Sequence, residues 1–499
     1  MSLNPEQLKE ERSQQWRAEL RLKIKNKERM FIPRVKMPEL APAIRVKHQD
    51  REVNMGLLLD QALTEASRCM DCVNPTCIEG CPVNINIPKF IKYIEQGDIL
   101  QAAATLKETN ALPAVCGRVC PQEKQCEARC FYVDKTDKPA VAIGHLERFA
   151  ADYERNSGNT NIPLTAKPNG IKVATVGSGP AALSFAGDMV KAGYEVTVFE
   201  ALHQIGGVLK YGIPEFRLPN SVVDFELDIL KTMGVKFETN YIVGRTATFD
   251  DLREEGYRGF FIASGAGLPR FMEIPGENYN GILSSNEYLT RVNLMGAASD
   301  AMDTPIFKGK YVAVIGGGNT AMDSVRTALR LGAHRAMIIY RRSEAEMPAR
   351  IEEVKHAKEE GVEFMTLCNP LEYFADEKGH VNGMRLNRMG LGEPDASGRR
   401  RPMPIEGSEF DLDVDLVVVA VGVSPNPLVP SCLPDLKVTK WGTIVVDEDK
   451  MQSSISEMFA GGDIVRGGAT VILAMGDGRR AAENMDLYLQ NQLASLTQY

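Results

Sequence analysis

One local grammar occurs twice in this chain, about 140 residues apart. An apolar β-branched run, a tight glycine turn, a helical stretch and a second apolar run succeed one another in GIKVATVGSGPAALSFAGDMVKAGYEVTVFEA. The same order returns in KYVAVIGGGNTAMDSVRTALRLGAHRAMIIYRRS. Each is a βαβ unit, and parallel strands need both sheet faces covered by helices. The fold class expected is therefore α/β, with two Rossmann-like dinucleotide-binding domains. Beyond the second unit, LVVVAVGVSPN reads as a buried strand, and MFAGGDIVRGGATVILAMGDGRRAAENM reads as a strand, a glycine turn and a helix. A closing strand and helix after the second unit imply that the second domain is inserted in the first. The expected division is 1–165, a helical domain; 166–305 with 425–499, the first nucleotide domain; and 306–424, the inserted one. SGNTNIPLTAKPNG is the best linker candidate.

The helical zone holds eight of the ten cysteines. They run Cys69-x2-Cys72-x4-Cys77-x3-Cys81-Pro82, then Cys116-x3-Cys120-Pro121 and Cys126-x3-Cys130. A dense cysteine cluster in a chain without secretory features points to metal rather than to disulfides. Zinc is the rival, but only one Cys-x2-Cys pair is present. A proline follows Cys81 and Cys120, as in ferredoxin runs where the cysteine before proline serves a second cluster. The expectation is two [4Fe–4S] clusters, with Cys69, Cys72 and Cys77 wrapping one and Cys81 facing the other. Further upstream, Asn4 before Pro5 forms a helix start. The stripe Leu8, Trp16, Leu20, Ile24 marks a helix that either rests on its own body or docks another subunit.

The two fingerprints differ where it matters chemically. Gly177, Gly179, Pro180 and Ala181 stand where backbone amides approach a pyrophosphate at a helix N-terminus. Glu200 ends the next strand, as the carboxylate that accepts from an adenosine ribose hydroxyl does. In the second unit, Gly316, Gly318, Asn319 and Thr320 occupy the turn, and the strand ends on Arg341 and Arg342 with no carboxylate. Paired guanidinium groups suit a 2′-phosphate, so NADP(H) is favoured there and FAD at the first site. Gly462 and Asp463, at the start of the closing helix, are candidates to reach the FAD ribityl or pyrophosphate. Neither fingerprint domain contains Cys-x-x-Cys, so a dithiol of the thioredoxin-reductase type is not expected. No catalytic acid–base side chain is assigned, because hydride transfer between nicotinamide and flavin rests mainly on stacking and orientation.

Composition sets limits on partners. A formal net charge of −8 gives no basic surface for nucleic acid or an anionic membrane. No apolar run approaches the roughly 20 residues that span a bilayer, and the N-terminus carries no apolar signal core. A cytoplasmic location is expected.

At this point the motifs CMDCVNPTCIEGCPVNINIPKFI, ETNALPAVCGRVCPQEKQCEARC, GGVLKYGIPEFRLP and GGGNTAMDSVRTALRLGA resemble one family. It comprises the small (beta) subunit of NADPH-dependent glutamate synthase, the large subunit of NADH-dependent ferredoxin:NADP+ oxidoreductase and the N-terminal part of dihydropyrimidine dehydrogenase. The resemblance runs from about residue 55 to the C-terminus. It implies that Cys69, Cys72, Cys77 and Cys130 hold one cluster, while Cys81, Cys120 and Cys126 hold the other. Glu147 is implied as the fourth ligand of the second cluster, with Cys116 as the rival. Gly207, Val208 and Arg217 are implied to line the FAD, Arg217 near a phosphate or the flavin, and Ala420 and Gly422 to lie near the nicotinamide. The function implied is NADPH oxidation with delivery of electrons to a glutamate synthase large subunit that forms L-glutamate from glutamine and 2-oxoglutarate. The alternative is the large subunit of an electron-bifurcating ferredoxin:NADP+ oxidoreductase, partnered by a ferredoxin- or NADH-linked flavoprotein. A redox-silent scaffold is disfavoured by the intact fingerprints.

Overall fold

A computed structural model describes residues 4–299 and 301–496. Two five-stranded parallel sheets carry the nucleotide units. The first has the strand order Met458–Ala460, Tyr257–Ile262, Lys172–Val176, Glu195–Phe199, Lys236–Glu238. Its centre is almost wholly apolar and buried on both faces, as a sheet covered by helices on each side must be. The strand that closes this sheet comes from near the end of the chain, pairing Met458 with Phe260 and Ala460 with Ile262. Everything between Ile262 and Met458 is thus looped out of one sheet, as an insertion requires.

The second sheet runs Ile282–Ser284, Leu416–Val419, Tyr311–Ile315, Arg335–Tyr340, Glu363–Thr366. Its outer strand, Ile282–Ser284, precedes the fingerprint by more than thirty residues and pairs in parallel with Val417–Val419. The helix Ser285–Asn293 follows directly, its N-terminus capped by the Ser284 hydroxyl. The boundary expected at 305/306 therefore falls earlier, before Ile282. A three-residue strand carries too little periodicity to be read ahead of time. Between Thr366 and Leu416 an antiparallel meander (Cys368–Ala375, Val381–Pro394, Arg400–Pro404, Phe410–Leu412) leaves the sheet and returns to it.

The N-terminal zone is built of helices joined by irregular segments. Helices Ile87–Gln96, Ile99–Lys107, Pro113–Val119 and Ile143–Ser157 pack around a core of Phe90, Ile94, Leu106, Val115 and Leu146. The stripe beginning at Leu8 forms two helices, Pro5–Ser13 and Gln15–Lys23, with extended backbone at Gln14 between them. Asn4 caps the first and Pro5 opens it. Trp16 stacks on Tyr93 with ring centroids 4.4 Å apart. Arg17 and Arg21 both pair with the buried Asp71, so this segment rests on its own body beside the first cysteines. No helix among the described residues is long and apolar enough to cross a membrane.

Candidate functional site

The first fingerprint opens onto a cleft of about 1310 Å³. That is more than the roughly 300–1,000 Å³ of a usual small-molecule site, and room enough for a dinucleotide with part of a second. Gly177, Gly179, Pro180, Ala181, Glu200, Gly207, Val208, Gly462 and Asp463 all line it, and so do Asn319 and Thr320 from the second fingerprint. The turn cannot be built with side chains: Gly177 has φ +98°, and a Cβ there would lie 2.5 Å from the Ala263 carbonyl oxygen. Glu200 closes its strand with its carboxylate over the turn, accepting from the Ser178 amide at 2.9 Å, the Ser178 hydroxyl at 2.5 Å and the Leu202 amide at 2.9 Å. Asp463 stands at the start of the short helix Asp463–Arg466, and burial pushes its carboxyl up to about 6.

The second turn repeats the geometry. A Cβ on Gly316, at φ +145°, would lie 2.4 Å from the Ala420 carbonyl oxygen. Gly318 is the N-cap of helix Asn319–Arg330, and Asn319 Oδ1 accepts from the Arg350 amide at 2.9 Å. Gly422, at φ +120°, accepts from the Arg270 amide through its carbonyl. Gly316, Gly318, Ala420 and Gly422 do not line the large cleft.

Three assigned side chains behave differently from expectation. Arg217 does line the cleft, yet its guanidinium is committed: Nη1 lies 2.5 Å from Asp323 Oδ2 and Nε lies 3.5 Å from Glu353 Oε1. Arg341 and Arg342, expected as a pair, part company. Arg341 is exposed and has no ion-pair partner among the described residues. Arg342 is buried, its Nη2 2.7 Å from Asp395 and its Nε donating to the Arg400 carbonyl at 2.8 Å. The strand ends at Tyr340, so the turn after it sets each direction, and Arg342 is the one that meets the meander. Asp323 and the run Ala263–Gly267 also line the cleft and were not anticipated. ASGAG after the apolar YRGFFI was the readable signal for the second of these.

The cysteines form two neighbouring groups. Burial, then the proximity of Cys69 and Cys130, pushes the Cys72 thiol up to about 12, and Cys77 is raised well above its ordinary value by the same causes. A second group surrounds a small cavity lined by Cys81, Cys120, Cys126 and Glu147, among Ile85, Phe90 and Ile143. Burial pushes Cys81 to about 12 and Glu147 to about 8. Cys116 does not line that cavity; its Sγ sits 3.5 Å from Met475 Sδ and 3.7 Å from Asn110 Oδ1. All eight thiols are free of disulfides. Buried thiols held neutral by desolvation, with a carboxyl among them, are a donor set that ionises only against a metal centre. Soft sulfur donors at this density fit iron–sulfur clusters.

The cleft and the small cavity share a wall. Val471, Leu473 and Ala474 of the helix Val471–Leu496 line the cleft, while Ile472 lines the cavity. Val119, next to Cys120, also lines the cleft. Gly476 touches the other partner: a Cβ there would lie 2.8 Å from the carbonyl oxygen of Pro82, which follows Cys81.

Comparison with known proteins agrees with this geometry. Residues 45–159 match the family described as dihydropyrimidine dehydrogenase domain II, 4Fe-4S cluster, and residues 171–478 match pyridine nucleotide-disulphide oxidoreductase. The chain is 38% identical over 459 residues to the glutamate synthase [NADPH] small chain of Azospirillum brasilense, covering 91% of this chain and 94% of that one. It is 38% identical to the Escherichia coli (strain K12) small chain, covering 86% of this chain and 92% of that one. It is 40% identical to the NADP(+)-dependent formate dehydrogenase subunit beta of Moorella thermoacetica, over 85% of this chain but 61% of that protein. Among solved structures, Mycobacterium tuberculosis FprA in complex with NADPH shares the fold, with a TM-score of 0.55 and 21% identity over 66% of this chain and 86% of that one. The iron–sulfur domain, the two nucleotide units and the length of the match agree: this chain belongs to the glutamate synthase small-chain family of NADPH-dependent FAD and iron–sulfur oxidoreductases.

Proposed function

We propose that the chain oxidises NADPH and hands the electrons, one at a time, to a large subunit that forms L-glutamate from glutamine and 2-oxoglutarate. The observation that carries this reading is the shared wall, in which successive residues of one helix face the nucleotide cleft and the cysteine cavity. When bound, nicotinamide, flavin and iron–sulfur centres supply the hydride and one-electron chemistry. The protein binds, orients and insulates them. Gly177, Gly179 and the N-terminus of helix Pro180–Lys191 cradle the FAD pyrophosphate, with Glu200 towards its ribose. Gly316, Gly318, Asn319 and Thr320 do the same for NADP(H), with Arg341 towards the 2′-phosphate. Cys69, Cys72, Cys77 and Cys130 hold one cluster. Cys81, Cys120, Cys126 and Glu147 hold the second, which the lining of the small cavity supports over Cys116. Cys72 and Cys77 are the least buried of the eight thiols and Val73 is exposed, so the first cluster faces the electron-accepting partner.

The second reading keeps the cofactors and changes the acceptor, as similarity to a formate dehydrogenase subunit allows. Coverage of 94% of a glutamate synthase small chain favours the first. Anaerobic purification from a cytoplasmic extract, identification of the co-purifying subunit and assay of NADPH-dependent glutamate formation test it. Glutamate formation in that complex is expected. A complex that oxidises NADPH with ferredoxin or another acceptor and makes no glutamate refutes it.

A further inference from the structure

The meander of the second nucleotide unit does more than return the chain to its sheet. Leu367, directly after strand Glu363–Thr366, donates its amide to the Arg342 carbonyl and accepts from the Met389 amide. From Met389 onward the long strand therefore leaves the C-terminal edge of the parallel sheet, where nucleotides bind in such folds. It pairs with Arg400–Pro404 to make a hairpin, with Leu391 opposite Pro402 and Pro394 opposite Arg400. The tip is closed by the Asp395 amide on the Arg399 carbonyl.

Arg342 moors this hairpin by two bonds, to Asp395 Oδ2 at 2.7 Å and to the Arg400 carbonyl at 2.8 Å. The hairpin then presents three consecutive arginines, Arg399, Arg400 and Arg401, beside the strand end that carries Arg341. Arg399 touches only the Ser397 hydroxyl and Arg400 only the carbonyls of Leu391 and Gly392. None of the three has a carboxylate partner among the described residues. Of the hairpin's two acids, Asp395 is taken by Arg342, which leaves Glu393 alone against three cations. Three guanidinium groups on one short hairpin, with no carboxylate bonded to any of them, favour an anion that joins them.

We propose that the Arg399–Arg401 hairpin is the second jaw of a 2′-phosphate clamp, with Arg341 as the first jaw and Arg342 as the tether that joins hairpin to strand. The inference rests on the NADP(H) reading of this unit and deepens it. Nicotinamide preference is then set by an element some sixty residues away in sequence from the strand end that usually decides it.

The test is equilibrium binding to the purified, flavin- and iron-loaded protein, using NADP+, NAD+, 2′,5′-ADP and ADP as probes. It compares the R399Q/R400Q/R401Q triple variant with R341Q. The clamp predicts that the triple variant loses roughly tenfold or more in affinity for NADP+ and 2′,5′-ADP, with NAD+ and ADP unchanged. D395N, which frees the tether but keeps all three cations, is expected to show a smaller loss with the same selectivity. If the triple variant binds all four probes as the parent does while R341Q loses its 2′-phosphate preference, the hairpin proposal falls and the strand-end reading stands. If neither variant discriminates, both fall. An equal loss for phosphorylated and unphosphorylated probes also overturns the clamp, since the hairpin would then only support the fold.

Discussion

Glu226 offers a quantitative test of how the iron–sulfur domain is joined to the first nucleotide unit. It lies on helix Asn220–Met233, is 1% exposed, and its Oε1 accepts from the Ala114 amide at 2.7 Å on the cysteine-bearing helix Pro113–Val119. Burial raises its carboxyl from 4.5 to about 8, against the lowering effect of the Ala114 hydrogen bond and of Lys107. A carboxyl whose folded value exceeds its unfolded value stabilises fully below the unfolded value and loses that contribution as pH climbs to the folded one. From pH 6 the unfolded chain has released the proton, while the folded one keeps it at pH 6 and has lost about half by pH 8. A full unit is worth about 1.36 kcal/mol, and the slope flattens as pH nears the folded value, so the interval is worth about 2.3 kcal/mol. Glu226→Gln keeps an acceptor for Ala114 and removes the titration. Anaerobic thermal unfolding at the two pH values is the assay. The wild-type Tm is expected to fall by roughly 2 °C more than that of the variant, since the unfolding entropy of a 499-residue chain is on the order of 1 kcal/mol per degree and other titrating groups cancel in the comparison. Parallel falls would refute a neutral carboxyl at this interface.

Four other perturbations are informative. Glu147→Ala should reduce iron from about eight to about four atoms per chain, whereas Cys116→Ser should retain the full content; iron and sulfide analysis decides between them, and the reverse pattern makes Cys116 the ligand. Gly316→Ala forces a Cβ to within 2.4 Å of the Ala420 carbonyl at a positive φ, so NADPH binding should be lost while flavin absorbance persists. Asp323→Asn leaves the buried Arg217 with only the longer contact to Glu353 and should cost ~3 kcal/mol, seen as a lower Tm. Gly476→Ala overpacks the wall against Pro82 and should cost about 1–3 kcal/mol, with slower flavin-to-cluster transfer in stopped flow at unchanged NADPH-to-flavin rate.

Local regularity made much of this legible. The fingerprints and the terminal Glu200 are short-range patterns, and the residues around the first turn gather in one cleft. What was not legible depends on direction or distance. The sequence shows that residues 341 and 342 are both arginine, but only the turn after the strand and the hairpin that returns to it decide that the second faces inward to Asp395. The edge strand Ile282–Ser284 is three residues long and owes its place to a partner more than 130 positions away. Asp323 looks like any polar residue on an amphipathic helix until Arg217, from another unit, is set against it.

These long-range pairs have a common logic. Glu360 accepts from Arg326 at 2.8 Å, from Arg330 at 2.7 Å and from Arg45 at 2.9 Å, so a residue of the N-terminal zone is locked into the second nucleotide unit. Arg217 to Asp323 locks the first unit to the same helix. Buried ion pairs repay little more than their own desolvation, and hydrophobic replacements of equal shape are often as stable. What an ion pair adds over an apolar contact is register, because a slipped arrangement strands charges in a dry interior. Electron passage between cofactors held on three separate units depends on their spacing, and a misplacement on the order of 1 Å in a reactive assembly can cost about a hundredfold. The shared wall at Ile472 and Gly476 sets one such spacing by close packing. The Arg45, Arg217 and Glu360 network fixes the orientation of the remaining unit against it. Packing and charge thus act together on the units around one cleft, and neither alone would hold the second fingerprint where Asn319 and Thr320 meet the first.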